Sequence, residues 1–140
     1  MAMLVLMFMM TKTKTIKHLT ILLAFIMTLS SPVAAQVSDN PAVLTGKVTH
    51  VRDGDTIEVN GIAIRLSALD CPERGTQNGD TAARIAQQFL GSQATCELTG
   101  AKTYDRLVGY CEVNGEDFGA YMMNNSSCKV WEKYDVWDRY

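Results

Sequence analysis

Thr56-Ile57-Glu58-Val59-Asn60-Gly61-Ile62-Ala63-Ile64-Arg65-Leu66 is the stretch on which the fold turns. Polarity alternates on both sides of Asn60-Gly61, and that dipeptide accepts the positive φ angles of a two-residue type I′ turn. The stretch therefore predicts an antiparallel hairpin. Val59 faces Ile62, Ile57 faces Ile64 and Thr56 faces Arg65, and the first two pairs form an apolar face. The same register brings Asp55 and Arg65 to one end of the hairpin.

Working outward, residues 43–51 are rich in β-branched side chains and read as a first strand. On the other side, Asp80 reads as the N-cap of a helix over residues 81–90 that stops at Gly91. Ala82, Ile85, Ala86, Phe89 and Leu90 fall on one face of that helix. Residues 94–98 and 107–113 read as two more strands joined by a polar loop. Asn114-Gly115 turns the chain into a short helix within residues 116–125, with Phe118, Tyr121 and Met122 inward, and Val130 and Trp131 are the last core candidates. Three strands, a helix, two strands and a helix predict an α+β fold. The expected architecture is a five-stranded, partly open barrel of the OB type with one to two packed helices.

The N-terminal quarter reads differently. Lys12, Lys14 and Lys17 precede an apolar run from Leu19 to Met27, followed by Ser30, Ser31, Pro32 and the small residues Val33, Ala34 and Ala35. Basic region, apolar region and small-residue site in that order predict a signal peptide over residues 1–35, with residues 36–140 as the mature domain. The run is shorter than the ~20 residues that span a bilayer, although an uncleaved anchor is the plainer alternative. Met10 is an alternative start. The protein is thus expected in the periplasm or the medium, as a monomer without stable membrane association after cleavage.

Residues 1–35 hold three lysines and no acid, so the mature part carries ten basic and fifteen acidic side chains, net −5. That balance argues against tight nonspecific binding of nucleic acid. It does not argue against metal-assisted phosphodiester chemistry, where carboxylates hold a cation that supplies the local positive charge. The four cysteines, Cys71, Cys96, Cys111 and Cys128, contain no C-x-x-C, and His50 is the single histidine of the mature part. An exported domain with this count reads as a disulfide protein rather than a zinc protein.

Two segments flank the hairpin: Asp53-Gly54-Asp55-Thr56 before it and Arg65-Leu66-Ser67-Ala68-Leu69-Asp70-Cys71-Pro72-Glu73 after it. Taken singly, each is an ordinary turn or helix-start pattern. Together they give carboxylates that can ligate a hard cation (Asp55, Asp70), one that can orient or deprotonate water (Glu73), and a guanidinium for a phosphate (Arg65). Arg106 follows in Tyr104-Asp105-Arg106.

In this order and spacing, Asp53-Gly54-Asp55-Thr56-Ile57-x-Val59, Arg65-Leu66-x-x-Leu69-Asp70-x-Pro72-Glu73 and Tyr104-x-Arg106 resemble the signature of the staphylococcal nuclease family. The similarity runs from about Gly46 to Tyr134. It implies an OB barrel with helices and a Ca²⁺ cofactor held by the side chains of Asp55 and Asp70 and by the backbone carbonyl of Cys71. Glu73 matches the general base, Arg65 and Arg106 the arginines on the scissile phosphate, and Asp53 a carboxylate just behind the ion. Tyr104 and Tyr134 match positions near the bound nucleotide. The implied reaction is hydrolysis of DNA and RNA phosphodiesters at the P–O5′ bond, leaving 3′-phosphate ends.

The chain departs from the family pattern in a tighter hairpin, in its acidic charge, and in Asp105 where a glycine is usual. Asp105 is expected to point to solvent rather than to pair with Arg106. The chain also stops before the family's last helix would be complete. Cys96 and Cys111 lie on consecutive predicted strands and can bridge across the sheet; Cys71–Cys128 would then tie the metal loop to the segment after the second helix. The rival readings are a non-catalytic OB-type nucleic-acid-binding module and an exported calcium-binding protein without turnover.

Overall fold

The computed structural model describes residues 40–140. The expected signal peptide, residues 1–35, lies outside the described residues. Five strands form the body: β1 (Ala42–Val51), β2 (Thr56–Val59), β3 (Ile62–Leu66), β5 (Gln93–Thr103) and β6 (Arg106–Val113). They run in the order β3-β2-β1-β5-β6, and a parallel β3–β6 pairing closes the sheet into a five-stranded barrel. Three two-residue strands complete the set: β4 (Leu69–Asp70), β7 (Glu116–Asp117) and β8 (Lys129–Val130). The helices are α1 (Gln77–Ala86), continued by a 3₁₀ turn over Gln87–Phe89, and α2 (Phe118–Asn125). This is the α+β barrel with two helices that the residue pattern predicts.

The hairpin has the predicted register, with Thr56 opposite Arg65, Ile57 opposite Ile64 and Val59 opposite Ile62. Asn60 and Gly61 take the two positive φ values, 50° and 79°, that a type I′ turn demands. Side chains alternate across a strand. Ile57, Val59, Ile64 and Leu66 therefore enter the core, while Thr56 and Arg65 share the opposite face. Ile62, expected on the apolar face, is 42% exposed because it sits beside the turn, at the open end of the hairpin.

Helix α1 begins three residues before Asp80. Thr76 is the N-cap, and its hydroxyl accepts the Gly79 N–H at 3.0 Å. Asp80 lies in the first turn, where its carboxylate favours the helix dipole and accepts the Gly75 N–H. Ala82, Ala86 and Phe89 are buried from the predicted face, and Ile85 packs partly against the core. Leu90 is 57% exposed, since the chain has already left the helix there. From α2, Phe118 and Met122 are fully buried, and Phe89 meets the rings of Phe118 and Tyr121 edge-on at 5.2 and 4.8 Å.

Val130 and Trp131, expected in the core, are 37% and 44% exposed. Val130 ends and Trp131 follows a short β4–β8 pairing, Leu69 with Val130 and Asp70 with Lys129, that lies outside the barrel. Disulfides join Cys71 to Cys128 and Cys96 to Cys111. The second lies between directly opposed residues of β5 and β6, and the first closes the chain beside the β4–β8 pair. The C-terminal residues fold over the barrel: the Asp135 carboxylate accepts from the Tyr110 hydroxyl and from the N–H groups of Arg139 and Tyr140. Trp137 stacks on Tyr110 at 5.0 Å, and Arg139 lies over both rings. Among the described residues, no helix is long and apolar enough to cross a membrane.

Candidate active site

The barrel closure assembles the site. Arg65 of β3 pairs across the sheet with Thr56 of β2 and with Val108 of β6, and Arg106 lies two residues before Val108, on the same face. Asp53 and Asp55 enter from the β1–β2 turn, and Asp70, Cys71 and Glu73 from β4 and the loop after it. These elements border one cavity of about 710 Å³. Asp53, Asp55, Arg65, Asp70, Cys71, Glu73, Arg106 and Tyr134 all line it. Tyr104 does not; it is 94% exposed at the β5–β6 turn, with the Arg106 guanidinium 5.8 Å from its ring.

Two glycines set how tightly the walls fit. At Gly54 an added Cβ would come within 2.9 Å of both Cys71 Sγ and Ala82 Cβ, so the Asp-Gly-Asp turn can lie flat on the disulfide and on α1. At Gly79 an added Cβ would stand 1.9 Å from the Glu73 carbonyl oxygen. The first turn of α1 is thereby pressed against the backbone that carries Glu73, and the Thr76 hydroxyl donates to the same carbonyl at 2.8 Å.

Asp55 is buried at the centre. Its Oδ2 lies 3.1 Å from Arg65 Nη2 and accepts the Cys71 N–H at 3.1 Å, which locks the β1–β2 turn to the β4 loop. Its own N–H donates to Asp53 Oδ1. Burial raises the Asp55 pKa to about 7; the Arg65 charge opposes that rise and the Asp53 carboxylate adds to it. Arg65 also donates to the carbonyls of Leu66 and Leu69 at 3.0 and 2.6 Å, so it braces the segment that leads to Asp70. Asp70 and Glu73 are exposed and line the cavity.

Three features lie beyond the sequence reading. Arg106 Nη1 donates to Thr56 Oγ1 at 3.1 Å, and that hydroxyl lies 3.2 Å from Asp55 Oδ1. Ser67 Oγ donates to the Tyr134 carbonyl at 2.7 Å and holds the aromatic wall formed by Trp131 and Tyr134, whose rings meet edge-on at 4.4 Å. Asp105, expected to point freely to solvent, pairs instead with Arg52 at 2.7 Å, and Arg52 also holds Glu58 at 2.8 Å. The Arg52 hydrogen bond holds the Asp105 carboxyl below its usual pKa range. Spacing along the chain signals the acids and arginines, but pairs such as Arg52 and Asp105 depend on barrel closure.

The donor chemistry of the cavity suits one kind of ion. No cysteine is free and no histidine lines the cavity, so neither sulfur nor imidazole is offered to a metal. What remains is oxygen: the carboxylates of Asp53, Asp55, Asp70 and Glu73, backbone carbonyls and water, of which the resemblance seen in the sequence implies Asp55, Asp70 and the Cys71 carbonyl as ligands. Among the described residues no group of three or more His, Cys, Asp or Glu side chains is gathered around a single metal position. A hard cation that accepts carbonyl and water ligands beside two carboxylates fits this set. At Asp55 burial and the neighbouring Asp53 carboxylate together outweigh the Arg65 charge, and the pKa is raised.

No protein-family model matches the chain. It is 31% identical over 90 residues to the succinoglycan biosynthesis protein ExoI of Rhizobium meliloti (strain 1021), across 55% of this chain and 47% of that protein. It is 28% identical over 101 residues to an uncharacterized endonuclease of Escherichia coli O157:H7, across 68% of this chain and 66% of that one. A protein of the same description from Escherichia coli matches equally. The chain thus spans about half to two thirds of the length of the relatives it resembles.

Proposed function

We propose that this protein is an exported, calcium-dependent nuclease of the staphylococcal nuclease type, cleaving DNA and RNA phosphodiester bonds to leave 3′-phosphate ends. The observation that carries the reading is the convergence of Asp55, Arg65, Asp70 and Glu73, from the two flanks of one hairpin, with Arg106 of β6 on one cavity of about 710 Å³. The relatives named endonuclease support the same reaction class.

In this reading Asp55, Asp70 and the Cys71 carbonyl hold the ion. Calcium, when bound, supplies Lewis-acid polarisation of a phosphoryl oxygen and a site for water. Glu73, exposed at the cavity rim, takes a proton from the attacking water. Arg65 and Arg106 bind the non-bridging phosphate oxygens and stabilise the charge that builds up in the transition state. The 44%-exposed rings of Trp131 and Tyr134 offer apolar surface beside the phosphate position, where a nucleoside can lie. The protein brings its cation as a cofactor and does not rely on a basic surface, which reconciles the net charge of −5 over residues 36–140 with an anionic substrate.

The test is cleavage of an end-labelled single-stranded DNA by residues 36–140 with disulfides intact, in calcium and in EGTA. Calcium-dependent products with 3′-phosphate ends are expected. Binding of the oligonucleotide without cleavage in either condition would instead mark a non-catalytic OB-type module.

A further inference from the structure

We propose that Thr56 is a positioning residue that couples the Asp55 carboxylate to the Arg106 guanidinium, an inference that rests on the nuclease reading above. Thr56 opens β2 and is fully buried, 0% exposed, although its side chain is polar. A buried hydroxyl must find partners, and Thr56 finds one on each side: Asp55 Oδ1 at 3.2 Å and Arg106 Nη1 at 3.1 Å.

The direction of this chain of bonds is fixed by chemistry. In the ionised form that would hold a cation Asp55 can only accept, a guanidinium can only donate, and a hydroxyl has one hydrogen to give and lone pairs to receive. Arg106 therefore donates to Thr56 Oγ1, and Thr56 donates onward to Asp55. Both bonds have an ionic end, which makes them stronger than neutral ones. Arg65 touches the same carboxylate directly at 3.1 Å, whereas Arg106 reaches it through Thr56. The threonine thus gives Arg106, which extends from the far side of the barrel closure, a fixed reference to the carboxylate assigned to the ion.

A long side chain without such an anchor samples several rotamers, and a misplacement of about 1 Å at a reacting centre lowers rate by about 10²-fold. Thr56→Val keeps the shape and removes the hydroxyl. It is expected to lower kcat by about 10–10²-fold with KM changed only a few-fold, while Thr56→Ser keeps near-native kcat. Two binding measurements read the same coupling without turnover. In EGTA, thymidine 5′-phosphate should bind more weakly to Thr56→Val than to wild type, and no more weakly to Thr56→Val/Arg106→Ala than to Arg106→Ala alone. Without nucleotide, calcium titrated by calorimetry should bind more weakly to Thr56→Val and normally to Thr56→Ser.

Loss of kcat in Thr56→Ser equal to that in Thr56→Val would overturn the proposal, because the methyl group and not the hydroxyl would then matter. So would a valine effect on nucleotide binding that persists in full on the Arg106→Ala background. Should the valine variant not fold, nuclear magnetic resonance of the wild type decides: a protected Thr56 hydroxyl proton with a cross-peak to the Arg106 guanidinium supports the coupling, and its absence refutes it. A wild type that binds calcium and nucleotide without cleaving would remove the nuclease reading, yet the binding arms would still judge Thr56.

Discussion

Asp55 is 7% exposed, and its one cationic partner among the described residues, Arg65, stands 3.1 Å away. Burial raises its pKa from 3.8 to about 7, so the folded chain favours the neutral acid more than the unfolded chain does. A pKa raised on folding gives stability that is complete below the unfolded value and lost as pH rises through the folded one. In EGTA the protein should therefore lose stability between about pH 4 and pH 7 from this group. Asp55→Asn, neutral throughout, is expected to raise the melting temperature in EGTA at pH 8 by roughly 4–8 °C for each kcal/mol relieved. At pH 4 it should have little effect, and it should abolish calcium-dependent cleavage. A lower melting temperature at pH 8 in thermal denaturation would show that the Arg65 pair outweighs the burial. The acids and arginines at this scale were picked out in the sequence by residue type and by the family signature that their order and spacing resemble. The Thr56 link was not, since it spans 50 residues and exists only after β3 meets β6.

At the scale of elements, the hairpin shows how local chemistry can be read directly. Asn60-Gly61 admits one turn type, the turn admits one register, and the register carries Asp55 and Arg65 to the same end. Helix α1 shows the opposite. Its start at Gln77 includes Gly79, which propensity disfavours in a helix. The glycine is required by tertiary contact, because the Glu73 carbonyl occupies the place of a side chain. Gly79→Ala, stabilising by up to ~1 kcal/mol in an exposed helix, is here expected to destabilise by roughly 1–3 kcal/mol. Because the strain falls on the backbone of Glu73, kcat should fall as well. Urea denaturation and steady-state kinetics of this variant check both, and an unchanged or more stable protein with native kcat would contradict the contact.

Across the whole molecule, the site is built where three structural constraints meet. Barrel closure places Arg65 and Arg106 on one face. The Cys71–Cys128 disulfide fastens the β4 loop to the chain after α2, and the Asp135-centred turn holds the last residues on the barrel. Burial and hydrogen bonding act against each other on the Asp135 carboxyl: burial alone would raise its pKa, but the Arg139 and Tyr140 N–H groups and the Tyr110 hydroxyl hold it below its usual range. The aromatic packing of this segment was illegible because it lacks periodicity; it depends on Tyr110, Trp137 and Arg139 meeting in space. We propose that the acids and arginines of this one cavity act as one catalytic centre. The most direct measurement is single-turnover cleavage of labelled single-stranded DNA in calcium by the wild type, Glu73→Gln and Arg106→Ala, with folding of each verified by its melting temperature. Calcium-dependent cleavage by the wild type is expected, with a loss of about 10²–10³-fold or more in each variant. Folded variants that cleave as fast as the wild type would contradict it.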